Sequence, residues 1–194
     1  WDPSRRIPKL TALTMEGHEG EVNQVAFTPD STLAITAGED KKLRIWNLEA
    51  NDPSLSAPTF DLHQGRITDL VTAGDPDPAG PRRRLAATAS EDGTVRTWNL
   101  ERRDLEQDSK VFTVAGGQAT AVALTTDGQT IIGGSSSGEA TMWPAQSTAP
   151  PGASEVGWGH TEQVLGVVVN PVGTRMISAS ADGTAKVWDL TRPG

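Results

Sequence analysis

Cysteine and tyrosine are absent from this 194-residue chain, and histidine occurs only three times. Without cysteine there is no disulfide framework and no thiolate nucleophile, which is compatible with a reducing compartment. Long apolar runs are missing too, because the longest, around residues 164–169, is far too short to span a bilayer. We therefore predict a cytoplasmic protein without membrane segments or cysteine chemistry.

Basic residues are in the minority, since 17 Lys and Arg face 25 Asp and Glu and give a net charge of −8. This balance disfavours binding to nucleic-acid phosphates and to anionic membrane surfaces. The lack of tyrosine also leaves few aromatic side chains for stacking on bases. A chain of this length is nevertheless able to bury about 70% of its unfolded surface. We therefore predict a globular protein whose partners include neither nucleic acid nor membrane.

Tryptophan marks an internal repeat. Similar stretches end at Trp46, Trp98, Trp143 and Trp188, and these tryptophans are separated by 52, 45 and 45 residues. Three of the stretches read GEDKKLRIWNL, SEDGTVRTWNL and SADGTAKVWDL, while a degenerate copy reads SSGEATMWPA. In each, a turn signal precedes a strand that ends at the tryptophan. The seven extra residues of the longer spacing fall in the Gly/Pro/Arg-rich stretch 73–84, which predicts a loop.

Each repeat contains four short segments of strand-like composition. First strands are predicted at 22–27, 67–72, 121–126 and 164–169; a second strand and the tryptophan strand follow each of them. Fourth strands are predicted at 59–63, 110–115 and 155–159, with another near 9–14. Small and β-branched residues on both faces predict sheets that are covered on both sides. Four short strands in about 45 residues are typical of a β-propeller blade.

These motifs resemble the WD-repeat β-propeller family over essentially the whole chain. Gly17-His18 and Gly159-His160 open repeats, His63 opens another, and Trp188-Asp189 is the signature dipeptide. The resemblance implies an all-β propeller segment of four-stranded antiparallel blades over 1–194, with Trp1-Asp2 ending a preceding blade. Four repeats are expected, at about 9–50, 58–102, 110–146 and 154–192. We expect them to be part of a seven- or eight-bladed ring, completed by further blades of a longer chain or by a second copy.

The resemblance also implies a hydrogen-bonded tetrad of histidine, hydroxyl residue, aspartate and tryptophan, with the aspartate six and the hydroxyl ten residues before the tryptophan. The matching residues are His18, Thr36, Asp40 and Trp46; His63, Thr88, Asp92 and Trp98; and His160, Ser178, Asp182 and Trp188. The third repeat has Ala115, Gly133, Ser137 and Trp143 at these positions, so we expect it to depend on packing and to be the least rigid. A structural role is favoured over a hydrolase triad or a zinc site, because a set that recurs three times is unlike a unique catalytic centre.

Glutamates cluster near the predicted turns that carry the tetrad aspartates. They are Glu19, Glu21, Glu39, Glu91 and Glu162, here named the acidic rim, with Glu16 close in sequence. Two interpretations stay open, a solubilising surface and a docking surface for a basic partner segment. On the opposite end, Arg82-Arg83-Arg84 predict either a solvated charged loop or a partner contact, and 145–154 predict a surface connection.

The sequence as a whole favours a non-catalytic scaffold for protein–protein interaction, without cofactor or metal. The expected partner is a protein or peptide, of basic character if the acidic rim is the docking surface. The resemblance to WD-repeat proteins implies an alternative, a sensor or autoinhibitory domain of a larger signalling protein, with an ATPase, kinase or caspase-like protease domain outside this chain.

Overall fold

The part of the chain that the structure describes folds into four antiparallel β-sheets and one helical turn, which confirms the all-β prediction. The computed structural model describes residues 12–53, 57–74, 84–102, 105–145 and 155–191. The predictions for Trp1-Asp2, for Arg82 and Arg83, and for nearly all of the connection 145–154 lie outside these ranges. The four sheets are named blades 1 to 4 in chain order.

Three blades have four strands. Blade 1 contains β1 (Val22–Phe27), β2 (Leu33–Gly38), β3 (Leu43–Asn47) and β4 (Thr59–Phe60). Blade 2 contains β5 (Ile67–Gly74), β6 (Arg84–Ser90), β7 (Thr94–Asn99) and β8 (Lys110–Thr113), with α1 (Leu105–Asp108) before β8. Blade 3 contains β9 (Ala119–Leu124), β10 (Thr130–Ser135), β11 (Glu139–Pro144) and β12 (Glu155–Gly159).

Blade 4 has three strands in the described part of the chain: β13 (Val164–Val169), β14 (Arg175–Ser180) and β15 (Ala185–Asp189). Within every blade the strands pair in sequence order, and the fourth strand of blades 1 to 3 lies in the segment predicted for it. Of the further strand expected at 9–14, residues 12–14 form no strand, whereas residues 9–11 lie outside the described ranges.

The first strands of consecutive blades lie side by side, so they form the inner layer of the assembly. Each first strand carries a β-bulge, which adds one unpaired residue and re-aims its side chain. In blades 1 to 3 this side chain donates a hydrogen bond to a carbonyl of the next blade. The three bonds run from Asn23 to Ile67 (3.4 Å), from Thr68 to Ala119 (2.8 Å) and from Thr120 to Val164 (2.5 Å).

The hydrophobic core is divided into three clusters, one at each junction between neighbouring blades. At the first junction, for example, Ile35 and Leu43 of blade 1 pack with Leu70 and Trp98 of blade 2. The described residues form no comparable cluster between blade 4 and blade 1. The fold is therefore a partial propeller that is not closed.

Candidate functional site

The tetrad of blade 2 joins three separate segments of chain. The imidazole of His63, in the loop before β5, lies 2.9 Å from Asp92 through Nδ1 and 2.8 Å from Thr88 through Nε2. Trp98 of β7 donates its indole N–H to the same hydroxyl of Thr88 at 3.0 Å. Gly93 follows the aspartate with a φ of 81°, a left-handed conformation that glycine adopts without strain. The turn between β6 and β7 thus places the carboxylate against the histidine loop.

The direction of each hydrogen bond in this tetrad is determined by the two terminal groups, the indole of Trp98 and the carboxylate of Asp92. The indole only donates and the carboxylate only accepts, so the Thr88 hydroxyl donates to Nε2 and Nδ1–H of His63 donates to Asp92. Burial lowers the pKa of His63, which favours this neutral form. Burial raises the pKa of Asp92, but hydrogen bonds from Thr94, from the Gln64 N–H and from His63 outweigh it and bring the pKa to about 2.

Blades 1 and 4 repeat this arrangement. In blade 1, His18 lies 2.8 Å from Asp40 and 2.7 Å from Thr36, and Trp46 donates to Thr36 at 2.9 Å. In blade 4, His160 lies 2.8 Å from both Asp182 and Ser178, and Trp188 donates to Ser178 at 2.8 Å. The structure therefore brings together all twelve residues that the resemblance to WD-repeat proteins implied.

Blade 3 is built differently at the same positions. The side chain of Trp143 is buried, but its indole N–H has no hydrogen-bond partner among the described residues. Its ring lies over Gly133, where a Cβ atom would come within 2.9 Å of two ring carbons. Phe112 packs against the ring at a centroid distance of 5.5 Å, within the cluster between blades 2 and 3. Packing thus takes the place of the missing hydroxyl.

A basic residue accompanies each tetrad, and the sequence reasoning missed it. Arg44, Arg96 and Lys186 lie opposite the tetrad hydroxyl on the third strand, two residues before the tryptophan. Arg44 donates to the carbonyl of Gly17 and Lys186 donates to that of Gly159, at 2.6 Å for the lysine, so each ties the residue before a tetrad histidine to its blade. These residues could have been found from the sequence, because an Arg or Lys recurs two positions before the tryptophan of each tetrad.

The tetrads are unsuited to catalysis. Ser178, His160 and Asp182 have the residue types of a hydrolase triad, but the Ser178 side chain is buried. Its hydroxyl is also engaged with both His160 and Trp188. The same bonding by threonine in blades 1 and 2 favours the structural interpretation.

The acidic rim lies at the end of the blades that carries the tetrad turns, and part of its charge is already paired. Arg66, in the loop before β5, lies 2.8 Å from Glu91 and 3.8 Å from Glu39, so it joins the turns of blades 1 and 2. Glu19 pairs with Lys42 at 3.1 Å. These groups are a third to three quarters exposed, except for Lys42, so the pairs contribute little to stability.

The charge of the rim is uneven. Four of its five glutamates belong to blades 1 and 2, whereas the positions that match Glu39 and Glu91 are Ser136 and Ala181 in blades 3 and 4. Glu162 is exposed in the loop before β13. Sequence reasoning named the glutamates but not Arg66, because no basic residue recurs at this loop position, where the other three repeats have Glu21, Gln118 and Gln163.

The opposite end of the blades carries a structural ion pair and a small cavity. Arg84 lies 2.6 Å from Asp30 of blade 1 and 3.4 Å from Glu101, so it joins blades 1 and 2 instead of forming part of a solvated loop. The cavity, of about 200 Å³, lies between blades 2 and 3, with Arg102 and Lys110 in its wall. Its cations are engaged, Arg102 with Asp108 at 3.6 Å and Lys110 with the Ala145 carbonyl at 3.0 Å.

The described ranges contain no candidate metal cluster and no candidate membrane-spanning helix. These residues contain no group of three or more His, Cys, Asp or Glu side chains that could hold a metal ion. None of the helices described is long and apolar enough to cross a membrane.

Comparison with known proteins agrees with this geometry. The sequence model of the family described as "WD domain, G-beta repeat" matches residues 10–47, 56–99 and 155–189. The unmatched region between the second and third matches contains the blade 3 positions at which only the tryptophan of the tetrad is present. The fold and the tetrads thus define a β-propeller repeat protein, and the chain belongs to the WD-repeat family.

Relatives with WD repeats come from several eukaryotes. The chain is 29% identical over 181 residues to Periodic tryptophan protein 2 of Arabidopsis thaliana, covering 92% of this chain and 18% of the relative. It is 28% identical to human Striatin, covering 92% of this chain and 18% of that protein. It is 23% identical to the Protein LST8 homolog of Drosophila pseudoobscura pseudoobscura, covering 91% of this chain and 54% of that protein. The chain thus spans less than a fifth of the length of the first two of these relatives.

Proposed function

We propose that this chain is a non-catalytic scaffold that binds a basic protein segment at the acidic rim, in the cytoplasm. The observation that carries the proposal is the position of exposed glutamates on turns fixed by buried tetrads. Asp40 and Asp92 each hold their turn against a histidine loop, so the neighbouring Glu39 and Glu91 are presented from a defined backbone. Such preorganised charge favours fast association with a partner of opposite sign.

Arg66 makes the proposed docking surface adjustable. It neutralises part of the charge on Glu39 and Glu91, and a lysine or arginine of a partner would compete for the same carboxylates. Removing Arg66 should therefore strengthen binding of a basic segment, while removing Glu91 should weaken it. A surface that serves only solubility would give no such pair of opposite effects.

The test uses short fluorescein-labelled peptides in which lysine alternates with apolar residues, with binding followed by fluorescence anisotropy at low and high salt. Glu91→Gln should raise the Kd and Arg66→Gln should lower it, each by roughly two- to fivefold, as expected for one exposed charge. Both effects should shrink as salt is raised. Arg102→Gln, at the opposite end of blade 2, is the matched control and should leave the Kd unchanged. Equal Kd values for all variants would contradict the proposal.

A second candidate function is that of a sensor or autoinhibitory domain that controls a catalytic domain in a longer protein. The observation in its favour is that Periodic tryptophan protein 2 and Striatin contain the matching segment within far longer chains. Limited proteolysis and activity assays on the protein expressed from its whole reading frame distinguish the two. Under either function, the four blades are proposed to be part of a seven- or eight-bladed ring.

A further inference from the structure

Ser137 occupies the aspartate position of the tetrad in blade 3, and its contact with the backbone has the opposite polarity. In the other blades the aspartate accepts the backbone N–H of the residue after the tetrad histidine. The three bonds run from Glu19 to Asp40 (3.2 Å), from Gln64 to Asp92 (2.9 Å) and from Thr161 to Asp182 (3.2 Å). In blade 3 the Ser137 hydroxyl instead donates to the carbonyl of Ala115 at 3.1 Å.

The opposite polarity reflects the orientation of the peptide between Ala115 and Gly116. The carbonyl of Ala115 and the N–H of Gly116 belong to this trans peptide, so they point in opposite directions. Because the carbonyl faces Ser137, the N–H points away and has no hydrogen-bond partner among the described residues. Gly116 has a φ of 77°, whereas the matching residues of the other blades have a negative φ. Glycine adopts either sign of φ, so both orientations of this peptide are accessible.

A second backbone donor lies on the other side of Ser137. In the tetrad blades the N–H two residues after the aspartate donates to its carboxylate, at distances between 2.9 and 3.2 Å. The matching N–H in blade 3, that of Glu139, lies 3.3 Å from the Ser135 hydroxyl. The Glu139 carboxylate lies beside Gly116, so it has to turn outward when an anion occupies this place. Blade 3 thus keeps two backbone donors for an anion that its sequence does not supply.

Ser137 is also the most accessible serine of its turn. It is exposed, and so are Gly116 and Gly117 opposite it, which have no side chains to cover it. Ser135 is buried, and the hydroxyl of the half-buried Ser136 accepts a backbone N–H. An enzyme that modifies this turn therefore reaches the Ser137 hydroxyl first.

We propose that Ser137 is a phosphorylation site and that its phosphate takes the place of the missing aspartate. A protein kinase transfers the γ-phosphoryl group of a nucleoside triphosphate to Oγ; the O–H bond breaks, a P–O bond forms, and a proton and the nucleoside diphosphate leave. The modified Oγ can no longer donate to the Ala115 carbonyl, whereas the phosphate oxygens accept strongly. The peptide therefore reorients, and the N–H of Gly116 donates to the phosphate as its counterparts donate to the tetrad aspartates.

Phosphorylation would also extend the acidic rim to blade 3, and this consequence rests on the proposed function. Blade 3 has Ser136 where blades 1 and 2 have Glu39 and Glu91. A phosphoserine adds about −1.5 to −2 charges at pH 7. A basic partner segment should therefore bind the phosphorylated chain more tightly. The reorientation of the peptide, in contrast, requires no partner.

Phosphoserine incorporated at position 137 during translation tests the structural consequence without a kinase. In NMR spectra of the whole chain, the amide proton of Gly116 should shift downfield and exchange more slowly with solvent. Phosphoserine at the exposed Ser31, at the opposite end of blade 1, is the matched control and should leave this amide unchanged. An unchanged Gly116 amide in the chain modified at 137 would overturn the replacement of the aspartate. Mass spectrometry of the protein from its own cells should find phosphate on Ser137, and its absence there would overturn the site.

Gly116→Ala gives an independent measurement. With Ser137 present, the new side chain meets a positive φ and its Cβ comes within 2.5 Å of the Ser137 Oγ, so the Tm should fall. Ser137→Asp supplies an acceptor and favours the other orientation, so Gly116→Ala should lower the Tm much less in that background. Gly183→Ala, at a φ of 81° in blade 4, is the control and should lower the Tm equally in both. Equal losses for Gly116→Ala in the two backgrounds would contradict the reorientation.

Binding of the labelled lysine peptides separates this inference from the proposed function. Phosphoserine at position 137 should lower their Kd by roughly two- to fivefold at low salt, and the effect should shrink at high salt. A changed Gly116 amide with an unchanged Kd would uphold the phosphate site and contradict docking at the acidic rim. A Kd that responds to Glu91→Gln and Arg66→Gln, with an unchanged Gly116 amide, would do the reverse.

Discussion

Asp92 shows how much one side chain does in this protein. Its carboxylate accepts hydrogen bonds from the His63 ring, from the N–H of Gln64, and from both the N–H and the hydroxyl of Thr94, all at 2.9 Å or less. It therefore joins the turn of its own blade to the loop that leads into β5. Among the described residues, its counterpart in blade 3, Ser137, forms side-chain hydrogen bonds only with the Ala115 carbonyl and the Ser135 hydroxyl.

This difference predicts unequal effects of two alanine substitutions. Asp92→Ala leaves a buried histidine and backbone donors without an acceptor, so the free energy of unfolding should fall by about 1.5–3 kcal/mol. Ser137→Ala should cost only about 0.5 kcal/mol, as a surface change does. Denaturant melts of both variants measure this, and equal losses would show that the tetrad does not stabilise its blade.

Blade 3 lacks a complete tetrad, and side-chain packing holds its tryptophan strand instead. Gly133 allows the Trp143 ring to lie directly on the strand, and Val95 of the preceding blade borders the same spot. Ten buried apolar residues of the described ranges lie at the junction between blades 2 and 3, so packing is extensive there. The low rigidity expected for this blade stays a prediction.

Introducing a hydroxyl residue at position 133 of blade 3 should therefore not stabilise the protein. In Gly133→Thr the new Cβ would lie 2.9 Å from two carbons of Trp143 and 3.0 Å from Val95, so overpacking should lower the free energy of unfolding by about 1–3 kcal/mol. Gly166→Thr is the matched control, because a Cβ there meets no atom within 4 Å. We expect its effect to lie within about 0.5 kcal/mol of zero. Thermal melts decide the question, and a stabilised Gly133→Thr would mean that the indole moves and regains a hydrogen-bond partner.

The stability of the molecule against unfolding is linked to aspartates that the folded state keeps ionised. Hydrogen bonds lower the pKa of Asp182 and Asp189, and in Asp40 and Asp92 they outweigh the opposing effect of burial. Burial raises the pKa of Asp69, which has the opposite consequence for stability. Groups with a lowered pKa predominate, so protonation favours the unfolded chain.

We therefore expect the free energy of unfolding to fall with pH in two stages. His63 has a folded pKa below the ordinary 6.5, so its contribution is present above pH 6.5 and is lost as pH falls through the folded value. Asp92 follows, with a loss between pH 3.8 and about 2. Urea melts across this range should show a smaller second loss in Asp92→Asn, whereas the exposed-site control Glu49→Gln should follow the wild type. Stability that rises on acidification would contradict the assignment.

The sequence by itself determined the elements that repeat. The tryptophan spacing and the short apolar segments predict the strands of four blades, because strand pairing and burial impose the same local pattern on every repeat. The resemblance to WD-repeat proteins implied the His, Asp, hydroxyl and Trp positions that hydrogen bonds join in three blades, and the aspartate and the hydroxyl could be located because they lie six and ten residues before each tryptophan. The contribution of the tetrads to the free energy of unfolding stays a prediction. The use of the acidic rim as a docking surface also stays a prediction.

The tertiary structure alone decided what does not repeat. Arg66 meets Glu39 and Glu91 only because two blades lie side by side, and Arg84 meets Asp30 for the same reason. The exposure of the apolar side chains of Val25 in blade 1 and Ile177 in blade 4 likewise depends on how the blades are arranged in space. Contacts between distant segments depend on the angle and register of packed sheets, and no local pattern of residues encodes that geometry.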